Sequence, residues 1–193
     1  RIHVSKRQKK LFFLVGFLLI MMGFLAEQGL FEGEHYTYNK NEHFMEFKNR
    51  QLGSFLFLSY DTPELIVGFE AYRSHIDELD VVSELQATTA WNKIIARNRQ
   101  QPKGLAEEHM VWNEDRKKFE ANNKVSVYST PEGYKFTYKT WGMNKNADGT
   151  WKNPEYQYVT AATNSNPYNP ASYEQSLRES YKGKQVDAYL EGV

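Results

Sequence analysis

Two short segments carry side chains that could act together on a phosphate group. In Ser74-His75-Ile76-Asp77-Glu78-Leu79-Asp80, adjacent carboxylates follow residues suited to a short strand. Hydrolysis of a nucleoside triphosphate needs one carboxylate near Mg²⁺ and another to orient or deprotonate the attacking water. At a strand end the chain leaves the sheet, and two neighbouring side chains can diverge to fill both roles. On this reading Asp77 belongs to the Mg²⁺ shell and Glu78 faces the water. Only Ile76 is apolar ahead of the pair, after Arg73, Ser74 and His75, and a solvated acidic turn is the competing reading.

The second segment, Ser129-Thr130-Pro131-Glu132-Gly133, follows a strand-like Val125–Tyr128. A hydroxyl there, on Ser129 or Thr130, could sense a γ-phosphate; Pro131 and Gly133 equally suit a plain turn. Arg73, Arg97 and Arg99 are candidates for stabilising transition-state charge across a subunit boundary, with surface or helix-end positions as the alternative. His75 with Asp77 and Asp80 is a thin metal-site signal, because no second histidine stands at ligand spacing. The sequence contains no GxxxxGK[ST] phosphate-binding loop, so these residues alone provide no P-loop cradle for a triphosphate.

The elements that must hold these residues read as α/β. The chain has 193 residues, 40% hydrophobic and 25% charged, enough for one domain with a sizeable core. Lys+Arg and Asp+Glu both number 24. There is no global attraction to nucleic acid, and a DNA-handling role would need a local basic surface. The absence of cysteine excludes a disulfide scaffold, a thiolate metal site and a cysteine nucleophile.

From the N-terminus, Leu11 to Ala26 is an uncharged apolar run preceded by Lys6, Arg7, Lys9 and Lys10. It is shorter than the roughly 20 residues that span a bilayer. A helix buried against a sheet is preferred to a membrane segment. His35 to Asn49 alternates and reads as a hairpin turning at Asn39–Asn41. Ser54 to Tyr60 reads as a buried strand, Ala71 to Ile76 as another, and Thr88 to Arg99 as a helix with Ala90, Trp91, Ile94 and Ile95 on one stripe. Residues 101–123 read as a polar surface insertion. Tyr134–Trp141 is expected to be helical, Asn144–Asn153 a loop and Tyr156–Ala162 a strand. Asn169-Pro170 should open a helix reaching Tyr181, and Lys184–Leu190 a last short one. Strands alternating with helices predict a mainly parallel sheet flanked by helices, with a β-hairpin near the N-terminus. Ligands of such sheets bind at the carboxyl ends of strands, where Asp77-Glu78 and Ser129-Thr130 would share an edge if their strands are neighbours.

In order and spacing, HYTYNKNEHFMEFKN, GSFLFLSYDTPELIVGFEAYRSHIDELD, AWNKIIARNRQ, VSVYSTPEGYKFTYKTW and the stretch from YVTAATNSNPYNP to AYLEG resemble the large terminase subunits of tailed phages. The resemblance covers about Tyr36 to Gly192, apart from the insertion. It implies a partial P-loop NTPase-type ATPase domain over residues 1–193, ending near residues 184–193. SHIDELD would be the Walker B segment and STPEG the coupling motif. The family would supply Mg²⁺ and ATP as cofactors. Its partners would be double-stranded DNA, the portal protein, the small terminase subunit and further copies in a ring. The setting would be the host cytoplasm, transiently at the procapsid portal. It also implies a phosphate-binding loop upstream and a nuclease domain downstream of this sequence. A non-catalytic remnant, or a protein anchored through residues 11–26, are the alternatives.

Overall fold

The computed structural model describes residues 18, 21–59, 63–130, 133–170, 172–183, 186 and 190. Helix α1 covers residues 21–27; Leu18 and residues 21–26 are the described part of the apolar run. The rest of 11–26, and most of the expected helix over 184–190, lie outside the described residues. Among the described residues, no helix is long and apolar enough to cross a membrane.

The first layer is α1 on an antiparallel sheet. Strands β1 (Tyr36–Asn39), β2 (Phe44–Phe47) and β3 (Ser54–Leu56) pair in the order β1-β2-β3. The predicted hairpin forms because its alternation matches the pleat: Tyr36, Met45 and Phe47 are buried while Thr37 and Glu46 face out. Asn39 sets the turn, its Oδ1 accepting from the N–H groups of Asn41 at 3.0 Å and Glu42 at 3.2 Å. Leu25 of α1 closes a core with Tyr36, Met45, Phe47 and Phe57. The buried strand expected over Ser54–Tyr60 is instead a three-residue edge strand, and Tyr60 lies outside the described residues. β3 pairs with β2 alone, so Phe55 and Leu56 stay exposed and only Phe57, just past the strand, reaches the core.

The second layer holds the acidic segment. β4 (Arg73–Asp77) and β7 (Lys124–Tyr128) form a parallel pair, in register from Arg73 beside Lys124 to Asp77 beside Tyr128. The adjacency expected for the strands ending at Ile76 and Tyr128 is therefore present. Between them run α2 (Glu84–Arg97) and a hairpin of β5 (Met110–Asn113) and β6 (Lys118–Ala121). Helix α2 begins four residues earlier than the expected Thr88, because Ser83 and Gln86 form a reciprocal capping box. Its stripe buries Ala87, Ala90 and Trp91, and Ile95 stays exposed. The segment 101–123, expected as a polar surface insertion, holds this hairpin. It lies on the surface, with Trp112 and Phe119 facing each other across the strands at 5.2 Å.

Helix α3 (Phe136–Thr140) sits where a helix was expected and brings Phe136 onto Trp91. Ile76, Leu79, Ala87, Trp91 and Phe136 form the second core, with Val125, Val127, Trp141 and Tyr156 against it. The strand expected over Tyr156–Ala162 does not form. Tyr156 packs edge-on against Trp91, and Val159 is 94% exposed with no strand beside it. Helix α4 (Tyr173–Ser180) starts three residues after Pro170, whose carbonyl accepts from the Tyr173 N–H.

The fold class is mixed α/β: a small antiparallel sheet, a short parallel pair and a hairpin. Among the described residues three of the four strand pairs are antiparallel, rather than the mainly parallel sheet the sequence suggests. Short turns join the antiparallel strands, and only β4 and β7 are separated by the long crossover that parallel pairing requires.

Candidate functional site

The parallel pair sorts its side chains by parity. Ser74, Ile76, Val125 and Val127 share one face, and Ile76 is buried there in the second core. Arg73, His75, Asp77, Lys124, Ser126 and Tyr128 share the other. On this outer face His75 and Tyr128 stack nearly parallel, ring centroids 6.0 Å apart, with His75 Nδ1 3.0 Å from the Tyr128 hydroxyl. Partial burial lowers the His75 pKa, and the Arg73 charge lowers it further. Asp77 closes the strand on the same face. Partial burial pushes its carboxyl pKa up, against an opposing hydrogen bond from the Glu78 backbone.

At Glu78 the strand breaks sharply. Its φ of 49° and ψ of 48° are left-handed, a conformation that costs a residue with a Cβ about 1–2 kcal/mol. The Glu78 N–H still donates to the Tyr128 carbonyl at 2.7 Å, extending the β4–β7 pairing by one bond. The side chain then meets the segment after β7: Thr130 Oγ1 donates to Glu78 Oε1 at 3.4 Å. Ser129 points elsewhere, its Oγ donating to the Thr130 carbonyl at 3.4 Å. The structure therefore gathers Asp77, Glu78 and Thr130 at the carboxyl end of the parallel pair, with Ser129 adjacent. Pro131 and Glu132 lie outside the described residues.

Two buried anchors follow directly. Leu79 fills the core, and Asp80 is 1% exposed. The Asp80 carboxylate accepts from the Thr137 backbone N–H at 3.1 Å and from the Thr137 hydroxyl. Lys135 Nζ donates to the Asp80 carbonyl at 2.8 Å. Asp80 thus ties the acidic turn to the start of α3 and is unavailable to a metal shared with His75. Among the described residues no group of three or more His, Asp or Glu is arranged to hold a metal ion.

The three arginines lie at the opposite end. Arg73 opens β4, four residues before Asp77, about 13 Å away along a strand rising ~3.3 Å per residue. Its guanidinium lies 5.1 Å from the Tyr72 ring centre. The Arg97 carbonyl accepts from the Ala71 N–H at 2.9 Å, and Arg99 pairs with Glu70 at 2.8 Å. The described contacts of Arg73 and Arg99 are with Tyr72 and Glu70.

Sequence reasoning missed the Thr137 and Lys135 contacts and the Tyr128–His75 pair. The signal available in the sequence was Asp80 itself, a third acid close behind Asp77 and Glu78.

No family model, no curated protein and no solved structure matches this chain.

Proposed function

We propose that this chain is part of the ATPase of a tailed-phage DNA-packaging motor, in which Mg²⁺-ATP hydrolysis drives double-stranded DNA into a procapsid. The observation that carries the reading is the meeting of Glu78 and Thr130 at the carboxyl end of adjacent parallel strands. Nucleotide sites of α/β sheets form at such ends. The motif resemblance supplies the polymer, the portal, the small subunit, a ring of copies and the setting at the portal in the host cytoplasm.

The residues fit Mg²⁺ in one limited sense. Mg²⁺ keeps several waters and takes only one or two carboxylates beside the phosphates, so Asp77 alone can serve, and no three-ligand cluster is required. Bound Mg²⁺-ATP would supply the electrophilic phosphorus and neutralise charge on its oxygens. Asp77, partly buried on the outer face, would orient that ion's water shell. Glu78 would accept a proton from the attacking water or align it, with Thr130 holding the carboxylate in place. The triphosphate itself requires a cradle that this sequence does not contain, since it has no GxxxxGK[ST] motif. The same observation favours a second reading, a non-catalytic chain that keeps the fold.

The two readings separate in a polypeptide joining this segment to a phosphate-binding loop. Asp77→Ala should weaken Mg²⁺-nucleotide binding, and Glu78→Gln should preserve binding while lowering turnover about 10²–10⁴-fold. The 193-residue chain by itself should show no measurable ATP hydrolysis. A Glu78→Gln polypeptide that hydrolyses ATP at the parent rate would refute the catalytic reading.

A further inference from the structure

We infer that Asp80 is a positioning residue: its clasp on Thr137 at the start of α3 holds Glu78 in its left-handed conformation, aimed at Thr130. The catalytic meaning of this clasp rests on the ATPase reading above; its structural part does not.

Left-handed backbone in a residue with a Cβ persists only where the surroundings over-determine it. Among the described residues the two other such positions, His43 and Lys117, belong to the connections of the β1–β2 and β5–β6 hairpins, where the turn itself sets the backbone. Glu78 sits in no hairpin; it opens a 3-10 turn over Leu79–Val81, its N–H donating to the Tyr128 carbonyl at 2.7 Å and its carbonyl accepting from the Val81 N–H at 3.1 Å. It has Leu79 and Asp80, both buried, immediately after it. Leu79 anchors by apolar contact, which tolerates sliding. Asp80 anchors by direction: one carboxylate takes both the backbone N–H and the hydroxyl of Thr137, 57 residues away. Lys135 grips the backbone of the same residue through the Asp80 carbonyl. Without the clasp, the turn can relax toward extended backbone and carry the Glu78 carboxylate away from Thr130.

The test uses this chain, labelled for NMR, with Asp80→Asn, Thr137→Val and Thr137→Ser. The three-bond HN–Hα coupling and the carbon shifts of Glu78 report whether its φ is positive. Asp80→Asn and Thr137→Val should move those signals toward extended values, while Thr137→Ser, which keeps the hydroxyl, should leave them at parent values. Thr137→Val retains the backbone N–H bond and nearly the same volume, so it serves if Asp80→Asn does not fold. Unchanged Glu78 signals in a folded Thr137→Val chain overturn the inference, as does a shift of equal size in Thr137→Ser. In the polypeptide carrying a phosphate-binding loop, Thr137→Val should lower kcat about tenfold or more with KM for ATP little changed, and Thr137→Ser should restore it. Moved Glu78 signals with parent kcat support the clasp and overturn the catalytic role given to Glu78, so the two ideas fail separately.

Discussion

Replacing Glu78 should reveal stored strain. Its φ of 49° costs a residue with a Cβ about 1–2 kcal/mol. Alanine keeps that cost, and glycine escapes it. Glycine loses about 0.4–1 kcal/mol through its freer unfolded chain. Both variants lose the contact with Thr130, so that loss cancels between them. The glycine variant should therefore exceed the alanine variant by about 0.8 kcal/mol, taking the middle of each range. At a urea slope of ~2 kcal/mol/M the midpoints would differ by about 0.4 M. Urea unfolding of Glu78→Gly and Glu78→Ala, followed by far-UV circular dichroism, measures this directly. An alanine variant more stable than the glycine variant by about 0.4–1 kcal/mol, which is glycine's unfolded-chain penalty alone, would mean that the turn is not strained, and the clasp would then have nothing to hold.

Further perturbations follow from the same geometry. Trp91→Ala removes the ring at the centre of the second core, where it meets Phe136, Trp141 and Tyr156; a loss of about 3–5 kcal/mol is expected in urea unfolding. Ser83→Ala deletes the capping box of α2 and should cost about 1 kcal/mol, with Ser83→Thr nearly neutral in the same assay. Asp77→Asn should stabilise the chain at neutral pH. The folded Asp77 pKa is raised by burial above its usual 3.8, so ionisation costs stability as pH rises through the folded value. The gain over the parent should vanish well below pH 3.8, where the carboxyl is neutral in both states. An advantage for Asp77→Asn that persists unchanged in acid would contradict the burial argument.

The parts of the fold legible in the sequence are those set by local pattern. The β1–β2 hairpin followed from Tyr36/Tyr38 and Met45/Phe47 alternation around an Asn-rich turn. The β4–β7 pair followed from two strand-like runs, each ending in polar residues. The α2 start was legible and overlooked: Ser83 and Gln86 already spell a capping box. The β5–β6 hairpin was hidden because the charged run Glu114–Lys118 dilutes the apolar signal of Val111, Trp112 and Phe119. Tyr156–Ala162 misled in the other direction. Its residues favour strand, but β-propensity is realised only against a neighbour, and Val159 is left 94% exposed. The candidate site divides the same way. Asp77, Glu78 and Thr130 were visible as types. Their meeting depends on parallel register, and Asp80 on a partner 57 residues away, which no local pattern encodes. The arginines were chosen by type alone, and the structure sets them at the other end of the strands.

The parity of β4 explains why the strained turn exists at all. In a continued strand, Glu78 would fall on the same face as Ser74 and Ile76. That face is occupied by the core around Ile76, Leu79 and Trp91. A carboxylate sent there would lose its water with no cation among those core residues to offset it, at a cost of several kcal/mol. The left-handed step costs only about 1–2 kcal/mol. It returns Glu78 to the strand end beside Thr130 and lets Leu79 take the core position. Two adjacent acids thus reach the same edge from opposite parities: Asp77 by the regular pleat, Glu78 by breaking it. A site that needs one carboxylate for a metal shell and one for a water requires such divergence. Asp80 then has a physical reason to be acidic and buried: it is the directional contact that keeps the break in place.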